Sequence, residues 1–196
     1  MSETDLIREL LFDHIDKLAV TLENLPQPLF KASEALVNTL LNDGKILIGA
    51  ESKQTILASY FSSIMLSRYN HERPTLPAYN LSADITTIST LAQDNNSLSV
   101  IFGMQIQALA QPNDLILLFS MSGKETSILQ AIRSAHDKEV PCIIFTSNED
   151  DNIQSLINEN DIVISVRQET QAMVIEGQLL ALNILGELID QQLFGV

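Results

Sequence analysis

The chain has 196 residues, 45% of them hydrophobic, enough for one domain with a full core. Its 25 acidic and 11 basic residues leave a formal net charge of −14, which opposes direct docking on a nucleic-acid phosphate backbone. The acidic start Met1-Ser-Glu-Thr-Asp5 lacks a signal-peptide pattern, no uninterrupted apolar run approaches membrane-spanning length, and the single Cys142 can form no internal disulfide, so a soluble, cytoplasmic protein without a membrane partner is expected.

In chain order, Leu6, Ile7, Leu10, Leu11, Ile15, Leu18 and Leu22 recur at helical spacing, with Ser2 or Thr4 as cap. Pro26-Gln-Pro28 breaks that helix. A second helix covers about 29–41 and ends before a C-cap at Asp43-Gly44. Residues 45–49 read as a short buried strand. Residues 52–69 read as a helix with Ile56, Tyr60, Ile64 and Ser67 along one face. Beyond the turn at Pro74 and Pro77, residues 78–81 form a second strand. Helices are predicted at 85–92 and 100–109, with a loop at 93–97 between them. A strand at 115–119 is followed by a helix to about Lys138. Residues 141–145 and 162–166 are the fourth and fifth strands, with a short helix near Ser155, and a long last helix covers about 170–193.

Strands alternating with helices predict an α/β fold, a five-stranded parallel sheet with helices on both faces. We read one domain over 1–196, with an N-terminal helical pair at 1–43 that packs in an oligomer and an α/β sandwich at 44–196. The apolar stripe from Leu6 to Leu22 needs a surface to bury, which sets the expectation of self-association.

The most informative stretch runs from Asp114 to Leu129. A buried strand ends in the hydroxyl-rich turn Ser120-Met-Ser-Gly123, and a helix with Ile128, Leu129 and Ile132 on one face follows. Such a turn gathers backbone N–H groups and two hydroxyls beneath a helix N-terminus, which suits an anion such as phosphate. Serine and glycine are common turn residues, so an ordinary capped helix accounts for the motif equally well. Cys142 lies in an apolar run and reads as a buried small residue, not a nucleophile. His14, His71 and His136 read as solvent-exposed, with no metal-ligand spacing among them.

Ser-x-Ser-Gly at a strand-to-helix turn resembles the phosphosugar loop of the sugar-isomerase (SIS) domain family. The order of further segments extends the likeness over nearly the whole chain. They are Lys45-Ile-Leu-Ile48, Ser67-Arg-Tyr-Asn-His-Glu-Arg-Pro-Thr-Leu-Pro-Ala78, Leu91-Ala-Gln-Asp94, and a last helix closing on Glu187-Leu-Ile-Asp190 and Leu193-Phe194. The series is similar to the phosphoheptose isomerase branch, and Glu72-Arg-Pro-Thr-Leu-Pro-Ala78 is its most specific piece. That branch holds the sedoheptulose 7-phosphate isomerases and their non-catalytic relatives, the DnaA-initiator-associating proteins. The resemblance implies a flavodoxin-like sheet and a homotetramer.

The isomerases carry His-x-x-x-Glu on the helix after the first strand, and a Gln and a His on the last helix. These form a metal and acid–base site for moving a proton between C1 and C2 of the sugar. Matched onto this chain, the first pair falls on Tyr60 and Ile64, and the second on Ile175 and Gln178. Isoleucine binds neither proton nor metal, and Gln178 cannot act as a base. Glu51 is the most plausible substitute base, with a solvated loop carboxylate as its plainer reading. Glu176 is either a pocket base or a structural carboxylate at a subunit contact. The family's Gly-Asn-Gly-Gly-Ser after the first strand reads Ala50-Glu-Ser-Lys-Gln54 here. Glu125 stands at a family serine in the second loop, where its charge competes with a bound anion, offset by Lys53 and Lys124.

The resemblance therefore implies a weakened phosphosugar site at Ser52, Ser120, Ser122, Gly123 and Lys124, with no catalytic residue, metal or cofactor. The function expected is that of a non-catalytic relative of the initiator-associating proteins. It would regulate replication initiation by binding the basic initiator DnaA through an acidic tetramer surface, and would bind a sugar phosphate. Two alternatives stay open: a sedoheptulose 7-phosphate isomerase with a rearranged site, and a phosphosugar-binding regulatory module with another partner.

Overall fold

The computed structural model describes residues 2–147 and 151–196. Five short apolar segments form strands: β1 (Ile46–Ala50), β2 (Ala78–Asn80), β3 (Leu115–Phe119), β4 (Cys142–Thr146) and β5 (Ile162–Ser165). They pair in parallel in the order β2-β1-β3-β4-β5. Parallel neighbours need crossovers, and helices supply them. The helices are α1 (Glu3–Leu22), α2 (Pro26–Leu41), α3 (Thr55–Leu66), α4 (Ile85–Asp94), α5 (Ile101–Leu109), α6 (Thr126–Asp137), α7 (Asp151–Gln154) and α8 (Gln171–Phe194).

Side chains alternate along each strand, so the sheet divides the core in two. Ile46, Ile48, Leu115, Leu117, Phe119, Ile143 and Phe145 pack with α2, α3 and α8. Leu47, Ile116, Leu118, Cys142 and Ile144 pack with α5 and α6. The Phe119 and Phe145 rings stack with centroids 5.1 Å apart. The expected α/β architecture with a five-stranded parallel sheet is what the chain forms, in the flavodoxin strand order.

Several boundaries differ from expectation for identifiable reasons. Pro26 begins α2 as well as ending the chain's first helical run, because a first-turn N–H has no helical partner to lose. The left-handed residue after α2 is Asp43, at φ 58°, not Gly44. Gly44 is required for space instead, since an added Cβ would lie 2.0 Å from the Asn113 carbonyl oxygen. The helix expected from Ser52 opens as a 3-10 turn over Ser52–Gln54 before α3 begins. Its buried face is Leu57, Ala58, Phe61 and Met65, while Ile56 is 63% exposed, so the stripe read from the sequence is one flank of the helix.

Ser2 caps α1 in a reciprocal pair with Asp5. Leu6, Ile7, Leu10, Leu11 and Ile15 on that helix lie open, 44–61% exposed. The end of α1 is tied down: Thr21 donates to the Arg167 carbonyl at 2.6 Å, and Gln168 donates to the Lys17 carbonyl at 2.9 Å. Among the described residues α8 alone is long and apolar enough to cross a bilayer by length and composition. Leu182, Leu185 and Ile189 of α8 are fully buried against the sheet side of the domain, so here it is a core helix.

The Glu72-Arg-Pro segment has a structural meaning. The Arg73 side chain is 1% exposed and its Nε donates to Asp190 of α8 at 2.6 Å. The rest of the guanidinium closes the end of α3, bonding the carbonyls of Ile64 (2.7 Å) and Met65 (3.1 Å), and reaches its neighbour Pro74 (3.0 Å). One buried cation thus locks α3, the following loop and α8 together.

Candidate active site

The strand order reverses between β1 and β3. Their loops part there, and α/β sheets bind ligands in that crevice at the carboxyl ends of the strands. The cleft at this point has a volume of about 270 Å³. Glu51, Ser52, Lys53 and Gln54 line it from the loop after β1; Met121, Ser122 and Glu125 line it from the loop after β3; Gln171 comes from the start of α8. A groove between α2 and α8, walled by Leu22, Leu29, Phe30 and Ile184, is larger but has no titratable lining residue.

In the first loop Ser52 adopts φ 56°, a left-handed backbone that favours glycine. The loop takes a backbone shape suited to glycine although a serine stands there. Glu51 is half-buried and accepts a 2.5 Å hydrogen bond from Ser127, in the first turn of α6. It is a positioned carboxylate facing the cleft, not the freely solvated one of its plainer reading. Lys53 donates to the Gln171 side chain at 3.3 Å, so its ammonium bridges to α8 and not to either glutamate. Gln54 is buried and donates to Gln178 at 2.8 Å.

The second loop folds around Glu125. Ser120 donates to Glu125 Oε2. Oε1 accepts from the N–H of Met121 (3.1 Å), the N–H of Ser122 (2.9 Å) and the hydroxyl of Ser122 (3.0 Å). Half-burial works against the charge of Glu125. The bonds from Ser120, its own backbone N–H and Ser122 outweigh that, and its pKa lies below the usual carboxylate value. Gly123 takes φ 79°, which turns its N–H onto the Ser120 hydroxyl at 2.7 Å. Lys124 N–H bonds the Ser122 hydroxyl at 3.3 Å, and its side chain is exposed. Gly123 and Lys124, read as donors to a ligand, therefore support the loop's own hydroxyls. The N–H groups that face an anion are those of Met121 and Ser122.

The four positions matched to the metal and acid–base site offer no imidazole, thiolate or carboxylate. Tyr60 donates to Asn183 of α8 at 2.5 Å. Ile64 is buried, Ile175 is half-buried, and Gln178 faces Gln54 instead of Tyr60. The α8 residue opposite Tyr60 is thus Asn183, which the sequence reading did not single out. Asn183 is the lone polar residue in Leu179-Leu-Ala-Leu-Asn-Ile-Leu185, which is the signal that marks it. A phenol, an amide and two isoleucines do not fit a zinc-type ion, which asks for imidazole, thiolate or carboxylate.

The remaining candidates lie elsewhere. His14 meets Glu176 at 3.1 Å on the α1–α8 seam, both about half exposed, so Glu176 is outside the cleft. His71 is exposed. His136 is not simply solvent-exposed: its Nε2 lies 2.8 Å from Asp161, next to buried Cys142. Asp161 also accepts the N–H groups of Cys142 and Asn158, bonds that fasten the entries to β4 and β5 at the amino ends of the strands, away from the cleft. Burial and the nearby Asp161 charge push the Cys142 thiol well up, in keeping with an inert buried residue.

The SIS domain model matches residues 12–147. The chain belongs to the SIS-domain family. Within it the similarity is to the phosphoheptose isomerase branch. The phosphoheptose isomerase of Chromohalobacter salexigens is 38% identical over 181 residues, 92% of this chain and 91% of that one. The phosphoheptose isomerase of Shewanella pealeana is 37% identical over 172 residues, 88% of this chain and 87% of that one. The structure of a phosphoheptose isomerase from Francisella tularensis superposes with a TM-score of 0.89 at 31% identity, covering 97% of this chain and all (100%) of that one. These matches overturn the expectation of a non-catalytic, initiator-binding SIS protein. That expectation weighed four side chains against a likeness to isomerases that runs through nearly the whole chain.

Proposed function

We propose that this protein is a sugar-phosphate isomerase that interconverts sedoheptulose 7-phosphate and the corresponding aldoheptose 7-phosphate through a rearranged site. The support is the full-length similarity to phosphoheptose isomerases. The carrying observation in the structure is the cleft between β1 and β3. It places a held carboxylate, Glu51, across from an oxyanion loop, Ser120-Met-Ser122. The ketose-to-aldose step removes a proton from C1 and returns one to C2 through an enediol, while O2 gains a proton and O1 gives up its hydroxyl proton, so that the carbonyl passes from C2 to C1. Glu51 is the base for the carbon proton, since it is the cleft carboxylate not already enclosed by the loop. The Ser127 hydroxyl fixes its orientation, and Lys53 and Gln54 line the cleft as donors for the sugar oxygens. No step is routed through a metal, because Tyr60, Ile64, Ile175 and Gln178, and Asn183 opposite Tyr60, do not suit one. Assembly through the open stripe of α1 into a dimer or tetramer belongs to the same reading.

One observation favours a second reading. Tyr60 and Asn183 bond each other across the place where the family's acid–base pair is expected, so the chain could hold a phosphosugar as a regulatory module without turning it over. A turnover assay with sedoheptulose 7-phosphate separates the two. Aldoheptose formation on the order of 1 s⁻¹ supports the enzyme, and binding without conversion supports the module.

A further inference from the structure

The oxygens of Glu125 are fully engaged by the loop that surrounds them. Oε2 takes the Ser120 hydroxyl, and Oε1 takes the N–H groups of Met121 and Ser122 and the hydroxyl of Ser122. Backbone N–H groups and hydroxyls below a helix N-terminus are the donors that hold phosphate oxygens, and they hold a carboxylate in the same charge-assisted way. Ser120 is wholly buried, so its hydroxyl has no other anion to meet. Gln54 of the cleft wall binds Gln178, whose side-chain nitrogen is fully buried and has no partner among the described residues.

We propose that Glu125 is a built-in occupant of the phosphate seat, and that a sugar phosphate enters the loop only by displacing this side chain. The proposal rests on reading the cleft as a sugar-phosphate site. It makes Glu125 the residue that sets the affinity threshold: a ligand must recover the bonds the carboxylate gives up before it gains anything. A phosphate monoester does so because its charge and three free oxygens exceed what one carboxylate offers. Neutral sugars leave the seat closed.

The test is titration calorimetry of the parent, Glu125→Ser and Glu125→Gln with sedoheptulose 7-phosphate and with inorganic sulfate. Both variants are expected to bind the sugar phosphate about ten- to a hundredfold more tightly than the parent, the value of one charge-assisted hydrogen bond no longer contested. Equal affinity in parent and variants overturns the proposal and leaves the sugar-phosphate reading standing. Variants that gain sulfate binding without preferring the sugar phosphate, and without turnover, keep the plug and end the isomerase reading. No binding of either anion by any of the three proteins overturns the proposal, because the seat then takes no anion when vacated.

Discussion

Replacing Arg73 by methionine tests the buried clamp. Methionine fills much of the volume but leaves Asp190, 2% exposed, without its partner, and its Oδ2 already lacks one. Removing one member of a buried ion pair costs about 3–5 kcal/mol. The carbonyls of Ile64 and Met65 lose their guanidinium donors as well, at about 1 kcal/mol each where water cannot replace them. Domains carry only about 5–15 kcal/mol in total, so the expected loss is a large fraction of the whole. Urea unfolding followed by circular dichroism, at fixed protein concentration, reads the loss as a shift in midpoint with an unchanged slope. The double variant Arg73→Met/Asp190→Leu removes the stranded charge and should regain most of it, leaving a deficit of about 1–2 kcal/mol from the carbonyls. A single variant that loses less than about 1 kcal/mol, or a double variant no better than the single, would refute the clamp.

Ser52→Gly relieves about 1–2 kcal/mol of left-handed strain and gives back about 0.5–1 kcal/mol in unfolded-chain entropy. The melting temperature should rise slightly, and a fall in differential scanning calorimetry contradicts the strain. Glu125 has a depressed folded pKa, so its stabilising contribution is whole above the ordinary carboxylate pKa and is lost as pH falls through the lower folded value. Glu125→Gln should flatten that part of the acid stability curve, measured by urea midpoints between about pH 2 and 5; identical curves count against the loop geometry. Leu11→Glu puts a charge in the exposed stripe of α1 and should shift the light-scattering mass to a smaller species while the circular dichroism spectrum stays the same. A parent that is monomeric at micromolar concentration removes that assembly.

Local chemistry made most of the architecture legible. Runs such as Leu115–Phe119 are apolar without interruption because a parallel strand is buried on both faces, and their alternation with amphipathic segments implies the layered fold. What escaped depends on contacts between distant segments. Periodicity grouped Ile56 with Tyr60, Ile64 and Ser67 along one face of its helix, but the face turned into the core is centred on Leu57, Phe61 and Met65. The motif around Arg73 was recognisable as a pattern, yet its partner Asp190 lies 117 residues on. In the site, the serines of the turn were legible from their position between strand and helix. That Glu125 would fold back onto them was not, because a glutamate at a helix start normally serves the helix dipole alone. The pairing of Tyr60 with Asn183 needed the register of α3 against α8, which no single segment carries.

The measurement that bears most directly on the isomerase reading is conversion of sedoheptulose 7-phosphate by the purified protein and by Glu51→Gln. Aldoheptose 7-phosphate should form on the order of 1 s⁻¹ with the parent. Loss of the general base should lower that rate by about a hundred- to ten-thousandfold, while sugar-phosphate affinity changes little. A parent that binds the sugar phosphate without converting it, or a Glu51→Gln variant that turns over at the parent rate, contradicts the account.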